Sequence, residues 1–170
     1  MKKYLRYLSI LPALFMLFFI FCFSAQDGSS SGSLSLRVCS WVLSCFDRIF
    51  SISRSPEEFL SHAESLQFFV RKAAHITEYF LLTLSIYLPF RVWFFREKTA
   101  SSFRSRLCAF WAPTFCLSLI CAALDEFHQS FVPGRCGTPV DVLIDSIGIV
   151  LGCTILIFCH FRSKHKTGKH

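Results

Sequence analysis

The chain has 170 residues, the size of a single domain, and 53% of them are hydrophobic whereas only 17% are charged. Soluble domains carry about 25% charged residues. The composition and a mean hydropathy of +0.49 therefore exclude an ordinary soluble enzyme and predict a surface that mostly faces lipid. The formal net charge of +7 would suggest nucleic-acid binding in a soluble chain, so its meaning depends on where the charges lie.

Four runs of the sequence are uncharged or nearly so and are long enough to cross a bilayer. A helix rises about 1.5 Å per residue, so 17 to 20 residues cover most of a hydrocarbon core of about 30 Å. The sequence thus predicts an all-α integral membrane protein, a bundle of four transmembrane helices that forms one domain over residues 1–170. The predicted spans are residues 7–23, 73–90, 107–124 and 142–161.

The first run has features of a secretory signal peptide as well as those of a span. Lys2, Lys3 and Arg6 form a basic region in front of it. A cut after Ala25 would need a small residue at the position that Phe23 occupies. We therefore expect this run to be a retained membrane helix.

The basic residues predict the orientation of the spans. Four spans place both termini on one side, and 12 of the 18 Lys and Arg lie on that side, in the termini and the middle loop, beside a single acidic residue. The other side holds 6 basic and 10 acidic residues. By the positive-inside rule, the termini of this cell-membrane protein are cytoplasmic. The net positive charge is thus explained by the orientation of the spans in the membrane. We therefore predict no nucleic-acid partner.

The loop over residues 24–72 is predicted on the outer side. It opens with a linker rich in Ser and Gly over 26–35, followed by an amphipathic helix over 36–51. This helix fits the membrane interface, and it fits equally well a position packed on the protein. A capping box that begins at Ser55 predicts a further helix, which could continue into the second span. The apolar stripe of the amphipathic helix consists of Val38, Val42, Cys45, Phe46 and Ile49.

Ionisable and polar side chains collect at the outer ends of three predicted spans. A charged side chain near the bilayer centre costs at least about 2.5 to 3.5 kcal/mol, so such groups usually face the bundle interior and pair with one another. We therefore predict one polar site at the outer membrane face. Its candidate members are Lys72, His75, Glu78 and Tyr79 of the second span, Asp125, Glu126, His128 and Gln129 at the end of the third, Arg135 in the next loop, and Asp141 and Asp145 of the fourth.

Some of these residues also have a purely structural explanation. Thr138 and Pro139 fit the start of a helix, where the helix dipole favours Asp141 whatever its function. Gly148 and Gly152 form a face of small residues that predicts close helix packing, and such a face could also join two copies in a homo-oligomer. A purely structural polar network therefore stays open as an alternative to a functional site.

The same residues resemble those of the VanZ-like membrane proteins, a family named for a teicoplanin-resistance protein. The resemblance implies a small bacterial multi-span protein, linked in some members to resistance against glycopeptide antibiotics that bind cell-wall precursors, and it implies no catalytic mechanism. Cys136 departs from the family pattern, in which a small polar residue is commoner. The similarity is carried, in order and spacing, by Ser24 to Gln26, Arg71 to Tyr79, Asp125 to Gln129, Pro133 to Arg135, and Asp141 to Gly152.

Two classes of function fit this sequence. The first is a protein that binds or modulates a cell-envelope lipid, a wall precursor or a glycopeptide, with the members of the polar site as ligand contacts. The second is a hydrolase or transferase acting on a lipid-linked or cell-wall substrate. In that enzyme Glu78 or Asp125 would be the general base, His75 the proton carrier, and the fork of Arg135 would hold a phosphate or carboxylate. We favour binding slightly over catalysis.

A metal-assisted form of the enzyme is a weaker alternative. Its ligands would carry no recognised metal motif, so we predict no metal site, and the sequence names no cofactor. The 9 cysteines show no ligand spacing such as CxxC. The ligands of the metal-assisted form would be His75, Glu78, Asp125, Glu126 and His128.

Overall fold

Helices make up almost all of residues 3–94 and 110–167, the parts of the chain that this computed structural model describes. These parts contain no strand, so the prediction of an all-α protein is confirmed for them. Most of the predicted middle loop and the first three residues of the third predicted span lie outside the described residues. The helices are α1 (Lys3–Leu8), α2 (Leu11–Ser24), α3 (Gly28–Phe50), α4 (Pro56–Phe94), α5 (Ala112–Gln129) and α6 (Pro139–Thr167).

Two helical segments are long and apolar enough to cross a membrane. They are Arg6–Ser24, with a mean hydropathy of 2.2, and Pro139–His160, with 2.5. Many of their large apolar side chains are exposed, which is what a lipid-facing surface requires. Among the described residues, α4 and α5 do not meet the same test. Both carry ionisable side chains near the candidate polar residues, in the first half of α4 and the last turns of α5, and these lower the mean hydropathy.

The first predicted span is interrupted near its N-terminal end. Helix α1 stops at Leu8, and a turn at Ser9 and Ile10 separates it from α2. The hydroxyl of Ser9 donates to the carbonyl of Arg6. Pro12, in the first turn of α2, has no N–H to donate to the carbonyl of Leu8, so an uninterrupted helix would lose a hydrogen bond there.

Helix α3 begins earlier than the sequence predicts. The Ser- and Gly-rich segment, expected to be a linker over 26–35, is helical from Gly28 onward. The side chain of Asp27 caps this helix by accepting a 2.7 Å hydrogen bond from the N–H of Ser30. Gln67 of α4 donates to the carbonyl of Gly32, which binds the segment to its neighbour. A cap and a tertiary contact therefore outweigh the low helix propensity of Gly.

Helix α3 packs on the protein with one face and exposes another. Cys39 and Leu43 are buried against Ala63 of α4. The predicted apolar stripe lies on another face, and its members Val38 and Ile49 are 42% and 75% exposed. The helix therefore packs on the protein through one face and exposes apolar side chains on another.

The long helix α4 starts with the predicted capping box. The N–H of Ser55 donates to Oε2 of Glu58 at 2.9 Å, and the N–H of Glu58 donates to Oγ of Ser55 at 3.3 Å. The helix then runs without interruption for 39 residues into the second predicted span. It contacts each of the other five described helices, most extensively α6. Helix α4 is thus the central element on which the others pack.

The main core lies where α4 meets α6. Ile149 is fully buried there, in one cluster with Leu82 of α4 and Ala122 of α5. A Cβ added at Gly148 would collide with the backbone carbonyl of Ile76, and one at Gly152 would lie 3.0 Å from the side chain of Thr83. The predicted close packing is confirmed. Helix α4 of the same chain covers this face, so a homo-oligomer through it would require α4 to move away.

Candidate functional site

The polar face of α4 forms one wall of the site. A helical repeat of 3.6 residues places residues 71, 72, 75, 78 and 79 on one side of the helix. Lys72 forms an ion pair with Asp141 of α6. His75 and Glu78 are partly buried, and Tyr79 below them is fully buried. The hydroxyl of Tyr79 has no hydrogen-bond partner within the described residues.

The end of α5 supplies the second wall. Glu126 and Gln129 are 4% and 5% exposed, so both point into the bundle. Gln129 donates from Nε2 to Oδ2 of Asp125 at 2.9 Å. Oε2 of Glu126 accepts from the N–H of Thr138 at 3.2 Å. These two carboxylates are therefore each held through one oxygen.

The first two turns of α6 supply the third wall. The hydroxyl of Thr138 accepts from the N–H of Asp141 at 3.2 Å, which confirms the predicted start of this helix. One turn further, the Asp145 side chain is only 1% exposed, and its Oδ1 lies 3.5 Å from Nδ1 of His75. The structure thus brings the two residues together, as expected for members of one site.

The loop between α5 and α6 places Arg135 over these walls. Its Nη2 donates to the carbonyl of Phe23 at the end of α2 at 2.8 Å, and its Nη1 donates to Oε1 of Gln129 at 3.3 Å. The loop fits closely on α2 and α3, because a Cβ on Gly28 would collide with the carbonyl of Gly134, whose φ is +72°. Burial is the main cause that lowers the pKa of the Arg135 guanidinium. A guanidinium nevertheless stays protonated in proteins, so Arg135 is a fixed positive charge.

Two cavities meet at this site. The apolar cavity, about 220 Å³, has walls of Ile20 and Phe23 from α2, Leu34 and Val38 from α3, and Val70 from α4. The polar cavity, about 360 Å³, is lined mainly by polar side chains of α4, α5 and α6 and the loop before α6. A wall of four residues borders both cavities, and we call it the shared wall. It consists of Arg71, His75, Gln129 and Arg135.

Most of the predicted site residues lie on or directly behind these cavities. Glu78 and Asp125 face the apolar cavity, whereas Lys72, Glu126 and Asp141 face the polar one. Tyr79 and Asp145 are buried and border neither of these two cavities.

His128 is the predicted site residue that the structure places elsewhere. Its ring stacks on Phe21 of α2, with ring centroids 5.1 Å apart. It borders neither cavity. The predicted metal-ligand set is therefore not assembled as a whole. His75, Asp125 and Glu126 form a smaller group whose potential ligand atoms all lie within 4.8 Å of one another.

Sequence reasoning did not include Arg71, Gln67 or Ser35 among the members of the site. Gln67 donates to Oγ of Ser35 at 2.9 Å and borders the polar cavity. It precedes Arg71 by four residues and so lies on the same face of α4. That spacing could have identified Gln67, whereas no local signal marks Ser35 in its Ser-rich segment.

The comparison with known families decides what kind of protein carries this site. The family model described as VanZ/LLP1 matches residues 9–160, which include every element of the site. The chain belongs to the VanZ/LLP1 family. Neither the search of curated proteins nor that of solved structures finds a match.

Membership of the VanZ/LLP1 family confirms the resemblance inferred from residues 24–26 to Gly152. Together with two helices that can cross a bilayer, it identifies this VanZ/LLP1 chain as a membrane protein. The matched region also contains both partners of the His75 and Asp145 contact and the shared wall. The candidate site is therefore part of the family's domain.

Proposed function

We propose that this VanZ/LLP1 protein binds an amphipathic anionic molecule of the outer leaflet, a lipid or a lipid-linked wall precursor. The observation that carries the proposal is the shared wall, which borders an apolar cavity on one side and a polar cavity on the other. A molecule with an apolar chain and a charged head group needs both environments next to each other. The two cavity volumes together are within the range of about 300 to 1,000 Å³ that small-molecule sites occupy.

The apolar part of the ligand fits between α2, α3 and α4. Val38 and Leu34 are more than 40% exposed although they line the apolar cavity. An acyl chain packed against them would remove this apolar surface from water and so contribute to binding.

The charged part of the ligand fits beside the arginines of the shared wall. Lys72 forms an ion pair with Asp141. Nη1 and Nη2 of Arg135 donate hydrogen bonds to groups of the protein itself. Nε of Arg135 has no hydrogen-bond partner within the described residues, and Arg71 is exposed. The planar fork of arginine matches the oxygens of a phosphate or carboxylate. An anionic head group would therefore bind at Arg71 and Arg135.

The proposal includes the four-span topology with cytoplasmic termini. Helix α2 ends, α5 ends and α6 begins at the polar site, so three of the predicted spans meet it at one end of the bundle. The excess of basic residues on the opposite side supports an outer location for this end.

Binding can be tested on the protein purified in a mild detergent. Native mass spectrometry would compare phosphatidylglycerol, which is anionic, with phosphatidylcholine, which has no net charge. We expect the wild type to retain phosphatidylglycerol preferentially. Arg135→Gln should lower that affinity at least tenfold, because it removes the fixed charge and keeps an amide donor.

The matched control is Arg48→Gln, since Arg48 is exposed on α3 and borders neither cavity. It should retain wild-type preference. Equal retention of the two lipids by the wild type, or an equal loss in both variants, would contradict a site at the shared wall.

A further inference from the structure

A buried carboxylate without a hydrogen-bond donor is the most unusual polar group in the described residues. Both oxygens of Asp145 lack a donor there, and so does Nδ1 of His75, although the two side chains are 3.5 Å apart. An unpaired buried charge is costly, and natural proteins satisfy such groups with a partner or a metal ion. Asp145 and His75 are therefore placed to satisfy each other, and an ion bound at the other nitrogen of His75 would hold the imidazole in the orientation that does so.

His75 also belongs to a group of three potential metal ligands. One ligand atom each of His75, Asp125 and Glu126 lies within 4.8 Å of the others. Ligands about 2.0 to 2.2 Å from a single ion lie at most about 4.4 Å apart, so a small inward movement of these side chains would bring them around one ion. Asp125 and Glu126 use Oδ2 and Oε2 for hydrogen bonds within the protein. Oδ1 of Asp125 and Oε1 of Glu126 are left for a ligand. Asp145 adds a fourth group next to His75.

We propose that His75, Asp125 and Glu126 bind a divalent transition-metal ion of the Zn²⁺ or Mn²⁺ type, with Asp145 holding the imidazole of His75 in place. An imidazole together with carboxylates suits these ions better than Mg²⁺ or Ca²⁺, which prefer oxygen ligands alone. A carboxylate beside the second nitrogen of a metal-binding histidine fixes the ring and strengthens the metal bond. A role in orienting the metal-binding imidazole of His75 thus accounts for the burial of the Asp145 carboxylate.

The position of the group also provides a path for the ion. His75 and Glu126 border the polar cavity, and His75 and Asp125 border the apolar one. An ion can enter from the polar cavity and keep an open coordination position toward either cavity. His128 cannot take part, because its ring stacks on Phe21. The inference does not depend on the identity of the proposed amphipathic ligand.

Metal binding can be measured on the full chain, purified with a tag that contains no histidine. The protein is treated with a chelator, and Zn²⁺, Mn²⁺ and Mg²⁺ are then titrated separately by calorimetry, with elemental analysis of the dialysed protein. We expect about one Zn²⁺ or Mn²⁺ per chain, a higher melting temperature with the ion, and at most weak Mg²⁺ binding. The absence of stoichiometric Zn²⁺ or Mn²⁺ binding would overturn the proposal.

Variants distinguish this group from other metal-binding residues. Asp125→Asn and His75→Gln should each abolish stoichiometric binding, whereas Asp145→Asn should weaken it about 10- to 100-fold, as the loss of an orienting carboxylate does. Glu64→Gln, which alters another residue of the polar cavity, is the matched control and should bind normally. Melting curves without metal show which variants fold, and one folded variant of Asp125 or His75 is sufficient.

The sequence also contains histidines near its C-terminus that could bind metal independently. A variant with His165→Gln and His170→Gln should keep the stoichiometric ion. Binding that survives both Asp125→Asn and His75→Gln, or that is lost in the C-terminal variant, would overturn the proposed site. Because no lipid is used in these titrations, failure here would leave the lipid-binding test unaffected.

Discussion

Lys72 of α4 forms an ion pair with Asp141 in the first turn of α6, across 69 positions of the sequence. Both side chains are about one quarter exposed, so water screens the pair less than it would a fully exposed one. The pair joins the two helices that share the largest contact in the described structure. It also neutralises a lysine that would otherwise compete with Arg135 for an anionic ligand.

We expect Lys72→Gln and Asp141→Asn to be coupled. In a double-mutant cycle on the free energy of unfolding in detergent, the interaction between the two changes should be about 0.5 to 3 kcal/mol, because either single change leaves a partly buried charge without its partner. Lys72→Gln combined with Glu57→Gln is the control, since Glu57 is exposed at the start of α4. Additivity of the first pair would show that the ion pair does not form.

The close approach of α4 and α6 predicts opposite effects for two glycines. Gly148→Ala should lower the free energy of unfolding by about 1 to 3 kcal/mol, because the new Cβ would collide with the backbone at Ile76. At Gly32 an added Cβ would meet only the side-chain nitrogen of Gln67, at 3.8 Å. Gly32→Ala should therefore raise stability by about 0.5 to 1 kcal/mol. Melting temperatures and membrane abundance of both variants test this, and equal effects would contradict the packing.

The cap of α3 predicts a dependence on acid. The hydrogen bond from the N–H of Ser30 is the largest cause that holds the pKa of the Asp27 carboxyl below its usual value of 3.8. A lowered pKa contributes stability above the unfolded-state pKa, and this contribution is lost as the pH falls through the folded-state pKa.

Asp27→Asn keeps the cap without the charge. Wild type and variant should therefore melt at similar temperatures at pH 7, and the wild type should lose more stability than the variant below about pH 4. Other acids titrate in both proteins and cancel in the comparison. Parallel melting temperatures from pH 7 to pH 3 would mean that Asp27 does not cap α3.

The topology can be tested with single cysteines on a cysteine-free background. Ser30 and Ser53 are exposed between α2 and α4, and the proposed topology places this segment outside the cell. Ser30→Cys and Ser53→Cys should therefore react with a membrane-impermeant thiol reagent added to intact cells. Ser102→Cys, in the middle loop, should react only after permeabilisation, because the basic residues predict that this loop is cytoplasmic. Labelling of Ser102→Cys in intact cells would contradict the cytoplasmic location of the middle loop and so the proposed topology.

Local signals in the sequence predict the helix starts well. Ser55 with Glu58, and Thr138 with Pro139, specify their helices through hydrogen bonds within a few residues, and both starts are confirmed. The start of α3 at Gly28 is not predictable in this way, because it depends on a contact with Gln67, 35 positions away from Gly32.

The membership of the site is predictable only in part. Periodicity places Lys72, His75 and Glu78 on one face of α4, and the structure confirms that placement. Periodicity does not predict that His128 lies beside α2 whereas Gln129 points into the bundle, since the two residues differ by a single step of about 100° around α5. The bond from Arg135 to the carbonyl of Phe23 joins residues 112 positions apart. No local pattern predicts such a contact.

The most direct measurement of lipid binding at the shared wall is photo-crosslinking in living cells. A photoreactive amino acid would replace Val38, which lines the apolar cavity, or Val42, which is also exposed on α3 but borders neither cavity. Mass spectrometry then identifies the crosslinked lipids. The account predicts that the lipids crosslinked at position 38 are enriched in anionic head groups relative to the lipids crosslinked at position 42. It also predicts that Arg135→Gln removes this enrichment. The same lipid composition at both positions, or an enrichment that Arg135→Gln leaves unchanged, would contradict it.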